Sequence, residues 1–387
     1  MSELLDSSPF DIASERRLVI IADWLPPDFG AVGQYMQMRA RALADRGHDV
    51  TLVGLSSTAN SVRHESRGKG TLEEIRLHAA PVPRGSFVGR LLWTMLTNVR
   101  LLVAAFAALR RADGILFTGS PPFLIHLLAP LGFLWKGRLV YRITDFHPEC
   151  LIAAQDKPSA LLRWLLALTH HWRRRIGGFE VLGEDQRKRL RATGIADDRI
   201  ALVRDGSPIG LDAAAPREKL PAELAGHCVL LYSGNYGIAH EVETVAAGYE
   251  WHQRQGTGRV RLWLSAAGAG ADILEQRFRA RALPFHRSRP IPLERLAGLL
   301  MAADAHLVTL KDPFVGFVMP SKIYACIETK KPIIFVGSAE SDVELLGRPQ
   351  EAASGFWRVD CGDAEGFARV LEELADRVGK SPLPPAA

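Results

Sequence analysis

Four short stretches place residues able to do chemistry where strands give way to helices. In FVMPSKIYACIETKKPIIFVG (317–337), Pro-Ser-Lys opens a short apolar helix that runs into a buried strand. Pro320 suits a first helical turn, where its missing N–H has no intrahelical partner to lose. The N–H groups of Ser321 and Lys322 would then point outward at the positive helix end beside an ammonium, which outlines an anion site. ITDFHPE sets Asp145, His147 and Glu149 after an apolar strand. Strand C-terminal ends are where α/β folds hold ligands, and helix capping by Asp145 is the plainer alternative. YSGNYGIAHEVETV offers Gly234, Asn235, Gly237 and His240 at another strand-to-helix turn, and WLPPDFGAVGQYM carries Gly30 and Gly33 at the first one. That last turn either lets a phosphate or acceptor approach its backbone or merely lets a helix pack closely. No GxGxxG occurs there, which argues against a nicotinamide cofactor.

The elements that must position these residues alternate. LVIIAD (18–23), DVTLVGL (49–55), EIRLHAA (74–80), GILFT (114–118), RLVYRIT (138–144), FEVLG (179–183) and RIALVRDG (199–206) read as strands, with helices such as GQYMQMRARALADRG (33–47) between them. After a polar passage over 207–224 the pattern restarts with HCVLLYSG (227–234), VRLWLSAAG (260–268), AHLVTL (305–310), KPIIFVG (331–337) and GFWRVD (355–360). Strand and helix in alternation imply doubly wound parallel sheets of the α/β class. The expected division is an N-terminal domain over 1–208, a second domain over 209–362, and a C-terminal helix from 363 able to cross back to the first domain, ending in a disordered tail. Two such domains bind ligands where strand ends face a common cleft.

A chain of 387 residues is long enough for two cores, and its 47% hydrophobic and 24% charged residues are those of a soluble enzyme. The net charge of +5 comes with arginine clusters at 173–175 and 187–189, which favour anionic partners: nucleic acid, anionic lipid or phosphorylated substrates. Without interleaved aromatic residues, nucleic acid is the poorest of these. Cys150, Cys228, Cys326 and Cys361 lack metal or disulfide spacing and read as core residues in a reducing compartment. The first residues lack an apolar signal region, so a cytoplasmic location is expected. Segment 114–135 is free of charge but broken by Gly119, Pro121, Pro122 and Pro130, which argues against a spanning helix there. FVGRLLWTMLTNVRLLVAAFAALRR (87–111) and SALLRWLLALTHHWRRR (159–175) mix Trp and Leu with Arg, as in helices that lie in a bilayer interface. A core helix with a solvated arginine face is the alternative for each.

Taken in order, TGSPPFLI, DFHPE, SGN.G, P...L..L...AD, PSK.Y and KP resemble the family 4 retaining glycosyltransferases of the GT-B fold, in the branch that assembles bacterial polysaccharide and O-antigen. The resemblance covers nearly the whole chain. It implies transfer of a sugar, hexosyl in type, from a UDP- or GDP-linked donor held in the C-terminal domain, with no cofactor beyond that substrate. Ser321 and Lys322 would hold the diphosphate; Arg289, Pro290 and Ile291 the base; Gly234, Asn235, His240 and Gly316 would complete the donor site. Asp145, His147 and Glu149 would face the acceptor, a glycan or polyprenyl-diphosphate-linked glycan, with Gly30 and Gly33 lining the cleft. No DxD string occurs, in keeping with a metal-independent mechanism. Two features depart from the family. Phe317 and Ala325 stand where many members have a pair of glutamates, with Glu328 one helical turn on as a candidate replacement for the ribose-holding one. Asn235 and His240 stand where many have Arg and Lys. A GT-B protein that has lost catalysis and acts as a scaffold is the alternative reading, and an epimerase of the same fold lacks its acid-base carboxylates.

Overall fold

The computed structural model describes residues 15–28, 30–80, 87–207, 209–210 and 216–379. The chain forms two compact units, 1–208 and 209–387; the expected tail after 379 lies outside the described residues.

The first unit runs β1 (Arg17–Trp24), α1 (Ala31–Asp45), β2 (Asp49–Ser56), β3 (Ser61–Arg67), β4 (Gly70–His78), α2 (Phe87–Leu109), β5 (Gly114–Thr118), α3 (Ile125–Leu128), β6 (Arg138–Ile143), α4 (Glu149–Ala153), α5 (Ala160–Arg173), β7 (Gly178–Val181), α6 (Glu184–Ala192) and β8 (Ile200–Leu202). Its sheet has the order β3-β4-β2-β1-β5-β6-β7-β8. Every pairing is parallel except β3 with β4. The central strands are apolar on both faces, with Leu18 to Ala22 all buried, as a sheet covered on both sides requires. The order reverses between β1 and β5, so a crevice opens beyond the C-terminal ends of those two strands. Beyond β6 the interior is ionic: Arg142 bonds Glu180 at 2.9 Å and also Asp205, while Arg39 reaches Glu180 from α1 at 2.7 Å. These buried charges satisfy one another, as burial of an ion demands.

The second unit runs β9 (Cys228–Asn235), α7 (Glu243–Arg254), β10 (Val260–Ala267), α8 (Ala269–Ala280), β11 (Phe285–Ser288), α9 (Leu293–Ala302), β12 (Ala305–Thr309), α10 (Lys322–Glu328), β13 (Ile333–Val336), α11 (Asp342–Gly347), β14 (Phe356–Val359) and α12 (Ala364–Val378). Its six parallel strands have the order β11-β10-β9-β12-β13-β14, reversing between β9 and β12. The C-terminal helix α12 packs within its own unit. Phe367, Leu371, Leu374 and Ala375 of α12 are buried with Tyr249 and the strands of their own unit, because that face is too apolar to leave in water.

Gly33 seats α1 against β1. A Cβ there would lie 1.8 Å from the Trp24 carbonyl oxygen, whereas one at Gly30 would meet that oxygen at 3.3 Å, and Gly30 has an extended backbone open to any residue. The close-packing reading of this turn therefore holds at Gly33. We expect Gly33→Ala to destabilise the unit by about 1–3 kcal/mol, seen as a lowered melting temperature, with Gly30→Ala melting close to wild type. Equal tolerance at both positions would contradict this seating of α1.

Candidate active site

In the C-terminal unit, β9 ends at Gly234 and Asn235, where Gly234 has φ +106° and open space where a Cβ would point. Glycine is needed there for its backbone conformation, and the room beside it stays free. The turn that follows brings His240 across to β12, its Nδ1 2.7 Å from the Thr309 carbonyl oxygen. A carbonyl only accepts, so Nδ1 carries the proton in the neutral ring. Tyr232 of β9 stacks on Tyr236 at 4.2 Å, and His240 meets both rings edge-on at 5.7 and 5.5 Å. Onto this aromatic corner comes Lys322, its Nζ 3.3 Å from the centre of the Tyr232 ring.

That ammonium lacks a hydrogen-bonding or anionic partner among the described residues. The residue as a whole is half-buried, but its Nζ is out of solvent. Burial pushes it down to about 7. His240 is driven to about 3, by burial first and then by the Lys322 charge, and is neutral. The expectation of a lysine standing beside outward-facing amides changes accordingly: α10 begins at Lys322 and not at Pro320, with Ser321 as an N-cap that makes no side-chain bond, and the lysine turns inward. A helix of seven residues adds little dipole, so the ammonium supplies most of the positive charge.

The other residues expected to hold a donor lie in several elements of the unit. Gly316, at φ +76°, is buried in the turn before α10. Arg289 is exposed, with only its carbonyl held, by Ser265 Oγ at 3.2 Å. Pro290 beside it is half-buried, and Ile291 packs against an apolar cluster containing Trp263, Leu299 and Ala325. Ala325 is therefore a core residue, and a carboxylate in its place would be buried in hydrocarbon. Glu328 is exposed at the far end of α10, six residues and so about 240° around the helix from Lys322.

In the N-terminal unit the ends of β1, β5 and β6 gather a second set. Asp145 follows β6, and burial pushes it up to about 6. His147 lies edge-on to Phe123 at 6.2 Å, with Nδ1 unpartnered, and burial brings it down to about 4. Glu149 is different. Burial works to raise it, but the Arg173 guanidinium holds it at about 2, bonding both carboxylate oxygens, Oε2 at 3.1 Å. Arg173 also donates to the His147 carbonyl at 3.3 Å. Glu149 thus fixes the loop that presents His147.

Sequence reasoning passed over Asp23, the last polar residue of β1. Its Oδ2 accepts from Ser120 Oγ at 2.7 Å across the switch point between β1 and β5, and its Oδ1 is buried without a partner. Burial, with a smaller push from Asp145, raises it to about 7. The signal was present: LVIIAD ends on a carboxylate at a strand C-terminus, the feature that singled out ITDFHPE. His126, from the adjacent α3, completes the set with an unpartnered Nδ1, its Nε2 lying 3.1 Å from Thr169 Oγ1.

Residues 30–206 match the family described as glycosyl transferase 4-like domain. That match makes the N-terminal unit a glycosyl transferase 4-like domain. A probable glycosyltransferase of Pseudomonas aeruginosa, WbjE, is 26% identical over 283 residues, covering 69% of this chain and 67% of the relative. Among solved structures, WaaG, a glycosyltransferase involved in lipopolysaccharide biosynthesis, superposes with TM-score 0.58 at 14% identity over 94% of this chain and 91% of its own. Anabaena Alr3699/HepE, solved with UDP and glucose, gives 0.57 at 12% identity over 94% and 91%. The E. coli trehalose-6-phosphate structure bound with UDP-2-fluoro glucose gives 0.57 at 14% over 94% and 93%. At these identities the likeness establishes the fold, GT-B, and nothing beyond it.

A raised carboxylate makes a testable demand on stability. Asp23 binds its proton more tightly folded than unfolded, so its contribution is full below about pH 4 and is lost as pH rises through about 7. Asp23→Asn should therefore melt above wild type at pH 8, by roughly 2–4 °C for each kcal/mol recovered, and the gap should close by pH 4. A gap independent of pH would mean that Asp23 is ionised and solvated.

Proposed function

We propose that this glycosyltransferase moves a sugar, with retained configuration and without a metal, from a UDP- or GDP-linked donor to a hydroxyl of a glycan or lipid-linked glycan during surface polysaccharide synthesis. One observation carries the donor half: the Lys322 ammonium is held out of water with no anion to meet it. A buried cation without a counter-charge is costly, and a diphosphate supplies that charge. Gly234, with open space beside it, lets such a group approach the backbone. The involvement of WaaG in lipopolysaccharide biosynthesis, and the UDP and glucose solved with Alr3699/HepE, favour a nucleotide sugar and a polysaccharide or lipopolysaccharide product.

In this reading the bond from the anomeric carbon to the diphosphate oxygen breaks as the acceptor hydroxyl attacks from the same face. The proton of that hydroxyl passes to the leaving phosphate oxygen. Lys322 stabilises the negative charge that grows there, which is where a preorganised cation lowers a barrier most. His147, which is neutral, and Asp23 orient the acceptor, and no protein nucleophile is required. Metal independence rests on the absence of a DxD string and on Lys322 in the neutralising role. Ala325, buried where a ribose-holding carboxylate is common, favours a scaffold as the second reading.

The acceptor half leans on an exposed surface. Helix α2 is long and apolar enough, over 89–109, to cross a membrane by length and composition, and only 28% of its most apolar window is buried. Leu92, Leu96, Val99, Val103 and Phe106 are exposed at alternating spacings of four and three, which is one helical stripe. Leu161 and Trp164 of α5 are exposed too, with Arg163 between them in sequence and Arg174 and Arg175 exposed just past the helix's C-terminal end. Such a surface suits peripheral attachment to an anionic membrane at its cytoplasmic face.

One nucleoside diphosphate, UDP or GDP, should raise the melting temperature, equivalent to about 2.7 kcal/mol at a hundredfold excess over Kd. Lys322→Ala should abolish both that shift and turnover while folding at least as well as wild type, since it removes an uncompensated buried charge. Binding by neither nucleotide, or full turnover in the variant, would refute the donor assignment. For the membrane half, co-sedimentation with liposomes should require anionic lipid and weaken as salt is raised, and Val103→Glu should reduce it. Indifference to lipid charge and to that substitution would contradict it.

A further inference from the structure

The N-terminal unit contains a cavity of about 870 Å³, within the range that encloses whole small-molecule ligands. Its inner wall is the end of the sheet, with Asp23, Ser120 and His147, joined by His126. Its other walls are hydrocarbon: Trp93 and Met95 from α2, Phe123, Leu151, and Leu162 and Leu165 from α5. Three polar side chains among the lining residues are committed within the protein. Ser120 donates to Asp23, Thr94 to the Arg90 carbonyl at 2.9 Å, and Ser159 Oγ accepts from the Leu162 amide at 3.3 Å. Three buried atoms remain unpartnered at the inner wall: Asp23 Oδ1, His126 Nδ1 and His147 Nδ1.

We infer that this cavity is a binding site for the proximal hydrocarbon chain of a lipid-linked acceptor, with the hydroxyl-bearing head of that molecule meeting Asp23 and His147. A free oligosaccharide fits poorly, because most of its hydroxyls would meet the hydrocarbon walls, and each one buried unmade costs about 1–3 kcal/mol. A chain fits, and it has a route in. Leu91, Leu161 and Trp164 line the cavity and are themselves exposed, continuing the apolar stripe of α2 inward. The cavity lining also carries one cation for the anionic diphosphate, Arg90, exposed at the start of α2. The inference rests on the lipid-linked acceptor reading and adds that the chain enters the protein instead of staying wholly in the bilayer.

The test uses farnesyl diphosphate as a soluble prenyl probe, titrated calorimetrically into the full-length protein without lipid or detergent, with inorganic diphosphate as the control. Saturable one-to-one binding of the prenyl probe, at least tenfold tighter than inorganic diphosphate, is expected. Leu165→Trp, which fills the cavity from α5, should weaken it about tenfold or more by displacing buried methylenes, while liposome co-sedimentation and the nucleotide-induced melting shift stay as in wild type. If that variant does not fold, Met95→Phe makes the same test from α2. Absence of prenyl binding, or binding unchanged in the filled variant, overturns the inference. Should liposome and nucleotide binding persist in that case, the function proposed above still stands; should they fail as well, that reading fails on its own.

Discussion

An ammonium resting on an aromatic face, out of water and without a carboxylate, is the arrangement on which the C-terminal unit turns. The contact of Lys322 with the Tyr232 ring returns part of the lost hydration, and burial still brings the lysine down to about 7. Because it is depressed, the folded state is penalised most below about pH 7, where both folded and unfolded chains are protonated; the penalty is relieved as pH rises toward the ordinary lysine value. A protein that keeps such a group keeps a standing attraction for an anion. Everything around it serves that geometry. Tyr236 stacks behind Tyr232, His240 stays neutral and so adds no competing charge, and its tie to Thr309 holds β9 and β12 together at the reversal of strand order.

The N-terminal unit is built by the same rule with the opposite electrostatics. There too the polar groups sit where strand order reverses, and there too one hydrogen bond, from Ser120 to Asp23, spans the reversal. The groups left facing the cavity are neutral imidazoles and a carboxyl raised to about 7. One unit thus offers an unpaired cation, and the other, framed by hydrocarbon, two neutral imidazoles and a carboxyl that titrates near neutrality. A diphosphate and a hydroxyl are the chemical classes that match them.

Much of this was legible in the sequence, because parallel strands buried on both faces read as apolar runs and their ends are punctuated by polar residues. LVIIAD, GILFT and AHLVTL could hardly be anything else. β3 escaped because SVRHESR is an edge strand with nearly every side chain exposed, so no apolar alternation marks it. β11 escaped because FHRS is four half-buried residues. Lys322 stood out by its neighbours in sequence, but its inward turn depends on Tyr232, ninety residues earlier, which only the sheet brings to it. Glu149 read as an acid facing an acceptor because Arg173, its partner, lies on another helix. The cavity was invisible for the same reason: its apolar walls come from α2 and α5, each of which alone reads as a surface or core helix.

The measurement that bears most directly on this account is proton uptake on nucleotide binding. UDP and GDP would be titrated calorimetrically into wild type and Lys322→Arg at pH 8, in buffers of differing ionisation enthalpy. A diphosphate that docks on Lys322 must restore its charge, so the wild type should take up close to one proton more than the arginine variant, which is already charged in the free state. Equal proton uptake by the two proteins, or nucleotide binding that leaves Lys322 as it was, would contradict the claim that this buried ammonium is the diphosphate site.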